Sequence, residues 1–186
     1  MNDFIFIQGA VNPIACQLLE KYLRTQVMDE KPNQVIQRNG SPYINRWMLS
    51  RKAIVPVYDD PALALDTYGM KLSMLENLYL HEYARPDADD PHCHPWANAT
   101  LVVHGWYTEN VYEDGGNRLI NTVTRYAGDI VLRNDTSVHA IVDTSPGCLS
   151  LFATSKKTKP WGFHTDDGFK TYDEYHVNTA GMPIGF

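Results

Sequence analysis

The spacing of hydrophobic positions changes once along the chain, from a helical period to a strand period. After Asn12, suited to an N-cap, comes Pro13, and Ile14, Leu18, Leu19, Tyr22, Leu23 and Val27 then recur every three or four residues. One amphipathic helix to about residue 28 is expected, with its apolar stripe covering a face of whatever follows. Before it, Phe4-Ile5-Phe6-Ile7 has strand character. Residues 29–42 are polar and turn-rich and read as a connector. Strand patterning starts at residues 43–49; residues 53–74 mix a short apolar run with acidic turns and predict no clear element. From residue 78 onward short strands follow at 78–84, 99–112 (broken near Gly105), 119–126, 130–133, 138–143 and 148–154. The Asp114-Gly115-Gly116-Asn117 turn joins two of them as a hairpin. A mainly β sandwich or barrel with one N-terminal α-helix is predicted, and a double-sheet jelly roll fits this pattern. One domain is expected: a helix region over 1–42, a barrel over about 43–155 and an aromatic tail over 156–186.

The candidate chemistry lies in the strand-rich part. In an extended backbone alternate side chains point the same way, so His92 and His94 aim two imidazoles at one point while Cys93 turns away. A third imidazole from a neighbouring strand would complete a metal-binding set. His139 is the best placed, with His104 and His164 the alternatives. Imidazole suits iron, zinc, copper and nickel, and three ligands with open positions describe a catalytic site better than a structural one. Around them, Asn98 is a candidate to orient a bound water or substrate. Arg46, Arg85 and Arg133 are candidate anchors for an anionic group, although each alone reads more readily as a surface arginine. Tyr83 and Trp96 are candidates to line a pocket, and His164 to act as an acid or base from the tail.

These residues resemble the cupin superfamily. His92, His94 and Gly105 match its first motif, and Gly128 and His139 its second. Asn98 stands where the family has a glutamate, so the site is similar to the three-histidine variant found in thiol dioxygenases. The resemblance covers roughly residues 77–155. It implies a cupin-type double-stranded β-helix, a divalent metal held by His92, His94 and His139 with Fe2+ favoured over Zn2+, Mn2+ or Ni2+, and a homodimer. The implied activity is that of a mononuclear non-haem iron oxygenase, dioxygenase-like, acting on a small polar or anionic molecule. The alternatives are a non-oxidative cupin isomerase, lyase or hydrolase using the metal as Lewis acid, and a non-catalytic small-molecule-binding module. A narrower likeness, to bacterial and phage cupins with His-x-His-Pro-Trp and a later Trp-Gly-Phe, implies no particular activity.

Composition narrows this further. With 186 residues, 44% of them hydrophobic, one core of good size can form. A formal charge of -6 argues against nucleic acid or an anionic membrane surface as the main partner. No apolar run is of membrane-spanning length, and Met1-Asn2-Asp3-Phe4 does not open like a signal peptide, so a cytoplasmic protein is expected. Cys16, Cys93 and Cys148 are odd in number and read as reduced thiols.

Overall fold

The computed structural model describes residues 11–38, 41–49, 75–86 and 90–175. The strand expected at Phe4–Ile7, the 53–74 stretch and His176 lie outside the described residues. The helix forms as the pattern predicts: α1 spans Pro13–Gln26, and the Asn12 side chain accepts a hydrogen bond from the Ile14 amide at 2.9 Å. Its last turn closes through the Val27 amide, which donates to the Leu23 carbonyl.

Among the described residues twelve strands follow: β1 (Gln34–Arg38), β2 (Ser41–Leu49), β3 (Leu75–Tyr83), β4 (His92–Cys93), β5 (Asn98–His104), β6 (Trp106–Tyr112), β7 (Leu119–Tyr126), β8 (Ile130–Arg133), β9 (Val138–Thr144), β10 (Cys148–Ser155), β11 (Gly162–Thr165) and β12 (Gly168–Thr171). They build two six-stranded antiparallel sheets, in the orders β1-β2-β3-β10-β5-β8 and β12-β11-β4-β9-β6-β7. Within them, β3-β10-β5-β8 faces β4-β9-β6-β7, and this alternation of strands between two sheets is a jelly roll. Gly105 and Gly128 have φ of 72° and 104°, in the left-handed region that favours glycine. They turn the chain from β5 into β6 and from β7 into β8.

Two departures from the sequence pattern have physical causes. Residues 34–38, expected in a connector, form β1 because they pair antiparallel with β2, Val35 opposite Asn45 and Ile36 opposite Ile44. Backbone pairing, not hydrophobic period, makes this edge strand. The helical stripe is also wider than one buried face. Cys16 and Leu23 are buried and Leu19 and Val27 pack partly beneath them, whereas Ile14, Leu18 and Tyr22 are exposed. The inward half lies on the outer face of the first sheet, against Trp47, Leu80, Val103 and Leu149. The Trp47 indole N–H donates to the Glu30 carbonyl at 2.9 Å and fixes the end of the helix on that face.

A second core fills the space between the sheets, around Tyr43, Ile44, Tyr83, Val102, Tyr107 and Ile141. Such clusters supply the non-directional part of stability, roughly 1.5–3 kcal/mol for each large apolar side chain buried. The tail extends the second sheet: β11 pairs with β4, putting Gly162 opposite Cys93 and Phe163 opposite His92. Among the described residues no helix is long and apolar enough to cross a membrane.

Candidate metal centre

Three neighbouring backbone positions bring the histidines together. β4 pairs with β9 so that His92 lies directly opposite His139, and His94 follows β4 on the same face as His92. One ligating nitrogen from each of His92, His94 and His139 lies within 4.8 Å of the others. The Nε2 atoms of His94 and His139 are 3.1 Å apart. Cys93 turns away, as alternation requires, with its Sγ 3.8 Å from the Gly162 carbonyl oxygen.

The anchor of this group is Glu109, which sequence reasoning did not single out. It lies on β6, is fully buried, and accepts a hydrogen bond from Arg125 Nε at 2.8 Å through Oε1. Its Oε2 accepts from Arg133 Nη2 and lies 2.9 Å from His139 Nδ1. Burial by itself would raise the carboxyl pKa, yet Arg133, His139 and Arg125 together hold it well below the usual carboxylate range. An ionised Glu109 takes the His139 Nδ1 proton as its hydrogen-bond donor. That leaves the His139 Nε2 lone pair aimed at His94.

Burial also keeps these rings neutral. It lowers His94 well below the ordinary imidazole value, with His92, His139 and Arg133 adding repulsion, and it lowers His139 to about 4 with Arg133 against the pull of Glu109. The His139 Nε2 lone pair thus faces His94 Nε2 at 3.1 Å, where a proton on His94 Nε2 or a cation bound by both nitrogens would meet it. Nitrogens bonded to one ion at about 2.1 Å and at roughly a right angle have nearly this separation. The donor set fits a divalent metal.

The three rings face a cavity of about 110 Å³ between the sheets, with Trp96, Phe152 and Trp161 among its walls. Several candidates from the sequence meet here. Arg46, Arg133, Tyr83 and Trp96 all line the cavity, so neither Arg46 nor Arg133 is the surface arginine that each alone suggested. Others do not reach it. Asn98 is fully buried opposite Arg133 and Thr154, and neither of its amide atoms bonds another described residue. Arg85 lies outside, its guanidinium 5.9 Å from the Tyr43 ring centre and donating to the Pro86 carbonyl.

The two alternative third histidines are displaced by strand geometry. Simple alternation puts His104 on the inward side with Asn98, but Leu149 pairs with His104 and Ser150 with Val102, so Val103 bulges and reverses the parity. His104 therefore points out to the helix, its Nδ1 2.9 Å from a Glu20 carboxylate oxygen. His164 follows the inward Phe163 and so faces out, into a separate outer pocket beside Cys93 and Lys159. His81, by contrast, is buried in the cavity wall, and its Nε2 accepts a hydrogen bond from Arg46 Nε at 2.9 Å. Burial and then Arg46 lower its pKa well below the ordinary value.

These shifts set a pH dependence for the metal-free protein. Below about pH 6.5 the unfolded chain protonates His81, His94 and His139 while the folded chain does not. Stability is therefore complete above that pH and falls as pH drops toward about 4, the value at which folded His139 takes its proton. Three such groups give a limiting slope of about 4 kcal/mol per pH unit. Thermal unfolding between pH 8 and 5 should show a flat Tm at the alkaline end and a steep fall below pH 6.5; a Tm independent of pH there would contradict the neutral buried histidines.

No protein-family profile and no curated protein matches the chain. Solved structures similar to it include an iron(II) form of HppE, at 14% identity and a TM-score of 0.45 over 70% of this chain. A cupin 2 conserved barrel domain protein from Rhodopseudomonas palustris is similar at 16% identity and a TM-score of 0.44, covering 72% of this chain and 76% of that one. An oxalate decarboxylase variant from B. subtilis is similar at 10% identity and a TM-score of 0.46, over 81% of this chain and 34% of that one. The chain spans 58% of the HppE structure's length. The jelly roll derived above from strand order, with three imidazoles gathered between its sheets, is the arrangement that the cupin resemblance implies.

Proposed function

We propose that the chain is a metal-dependent enzyme in which His92, His94 and His139 hold one divalent ion, Fe2+ by preference, for oxygenase chemistry on a small polar or anionic molecule. The observation that carries this reading is the convergence of three imidazole nitrogens within 4.8 Å on a buried cavity. A bound iron would supply the redox step and a site for dioxygen. The chain's own residues do the rest. Glu109 holds the His139 ring in one tautomer, and Arg125 and Arg133 keep Glu109 ionised. Trp96, Phe152 and Trp161 give the cavity apolar walls, beside which a charged contact is less screened than in open water.

Glu109 is engaged by two arginines and His139, which supports an all-imidazole donor set of no net charge. Such a set leaves the ion its full positive charge and favours an anionic ligand. The test is elemental analysis of protein purified anaerobically without tag or chelator, followed by oxygen uptake with small acids and thiols. Near-stoichiometric iron and substrate-dependent uptake are expected. Zinc, manganese or nickel would transfer the reading to non-oxidative Lewis-acid chemistry, and no metal after reconstitution would leave only a binding module. The homodimer and the cytoplasmic location remain part of this reading, the first checked by light scattering.

A further inference from the structure

Two arginines line the cavity, Arg46 and Arg133, and among the described residues Arg133 alone of the two is paired with a carboxylate. Arg125 and Arg133 share Glu109. Arg46, on β2, has none within ion-pair distance among the described residues. Its Nε donates to His81 Nε2 at 2.9 Å, its Nη1 to the Gln34 side-chain oxygen at 3.3 Å, and its guanidinium lies 4.8 Å from the Tyr79 ring centre. All three partners are uncharged. A guanidinium held by neutral groups on a cavity wall keeps its charge uncompensated, and its Nη atoms form the fork that fits a carboxylate with two parallel hydrogen bonds.

The position of that fork is defined by one aromatic ring. His81, bonded to Arg46, stacks on Phe152 at 5.1 Å, and His94 lies against the same ring at 5.6 Å. Arg46 and the three histidines thus line the same cavity, with Phe152 in contact with both His81 and His94. We infer that the substrate of this site carries a carboxylate, or an acid group of like shape, that binds Arg46 while its other end reaches the histidines past Phe152. The inference rests on the metal-dependent reading for the second end only. A cavity of about 110 Å³ restricts the molecule to a short carbon chain between two polar ends.

The test uses malonate, succinate and glutarate, each beside its half-amide, titrated by calorimetry into Co2+-loaded and metal-free protein. At least one diacid is expected to bind about tenfold or more tightly than its half-amide, as a hydrogen-bonded charge pair is worth at least this factor. In Arg46→Gln the preference should fall to about unity while the cobalt absorption bands and Co2+ affinity stay as in the wild type. Arg46→Lys should restore part of it. Equal binding of every diacid and its half-amide by the wild type, no binding of any, or a preference that survives in Arg46→Gln would overturn the inference. Failure of Co2+ to bind would instead count against the three-histidine reading, and the diacid preference of the metal-free protein would still decide the role of Arg46.

Discussion

Replacing Glu109 by glutamine is expected to destabilise the fold by about 3–5 kcal/mol and to weaken divalent-metal binding about 10- to 100-fold. The first effect follows from charge. Glu109 is the only carboxylate within ion-pair distance of Arg125 and Arg133 among the described residues, and all three side chains are buried. A glutamine takes from Arg133 its carboxylate and from Arg125 the carboxylate that its Nε binds, so the desolvation of these buried charges is no longer offset by Glu109. The second effect follows from the tautomer. A glutamine oxygen still accepts from His139 Nδ1, but its amide nitrogen competes as a donor, so the lone pair can turn to the wrong side of the ring. Urea unfolding of the metal-free variant reads the first effect and a metal titration the second. A loss under about 1 kcal/mol would mean that the arginines do not depend on Glu109.

A triple variant separates the two roles. Exchanging Glu109, Arg125 and Arg133 together for leucine, leucine and methionine removes the buried charges along with their partner, and such replacements tend to be neutral or stabilising. Folding should recover while metal affinity stays low, since nothing then orients His139. If metal affinity recovered with stability, Glu109 would be a packing residue and the His139 ring would need no guide.

How much of this was visible in the sequence depends on whether the signal is local. The strand pattern and the helix cap are local, and β5 through β10 fell within a few residues of their expected places. The His92–His94 pair is local as well, and His139 needed only the register of one strand pair. Glu109 had a signal that was not used. Tyr107, Glu109 and Val111 alternate along β6, which puts a carboxylate on the buried face between two apolar residues. A buried acid requires buried bases, and Arg125 and Arg133 were available. What the chain could not reveal was parity across a bulge. Nothing in Leu101-Val102-Val103-His104 marks Val103 as the extra residue, and that one insertion turns His104 outward. The Arg46–His81 contact is equally invisible, for it depends on the pairing of β2 with β3, where the two residues lie opposite each other.

Alanine at His92, His94 or His139 is each expected to abolish stable metal retention, whereas alanine at His104 or His164 should leave it unchanged. The distinction follows from where the rings point: three converge on one cavity, one bonds Glu20 beneath the helix, and one faces the outer pocket. Thermal stability offers a readout independent of activity. A metal present at about 100 times its dissociation constant stabilises the fold by about 2.7 kcal/mol, and each tenfold loss of affinity removes about 1.4 kcal/mol of that gain. For a chain of this length the full gain corresponds to a Tm rise of roughly 5–11 °C. The rise should vanish in the three inward variants and persist in the two outward ones. The metal-free stabilities should move differently: removing His94 deletes an imidazole that is neutral only because burial forbids its charge, so the acid limb of the stability profile should become shallower by about 1.4 kcal/mol per pH unit. An outward variant that lost the metal-dependent rise, or an inward one that kept it, would assign the third ligand to a different histidine.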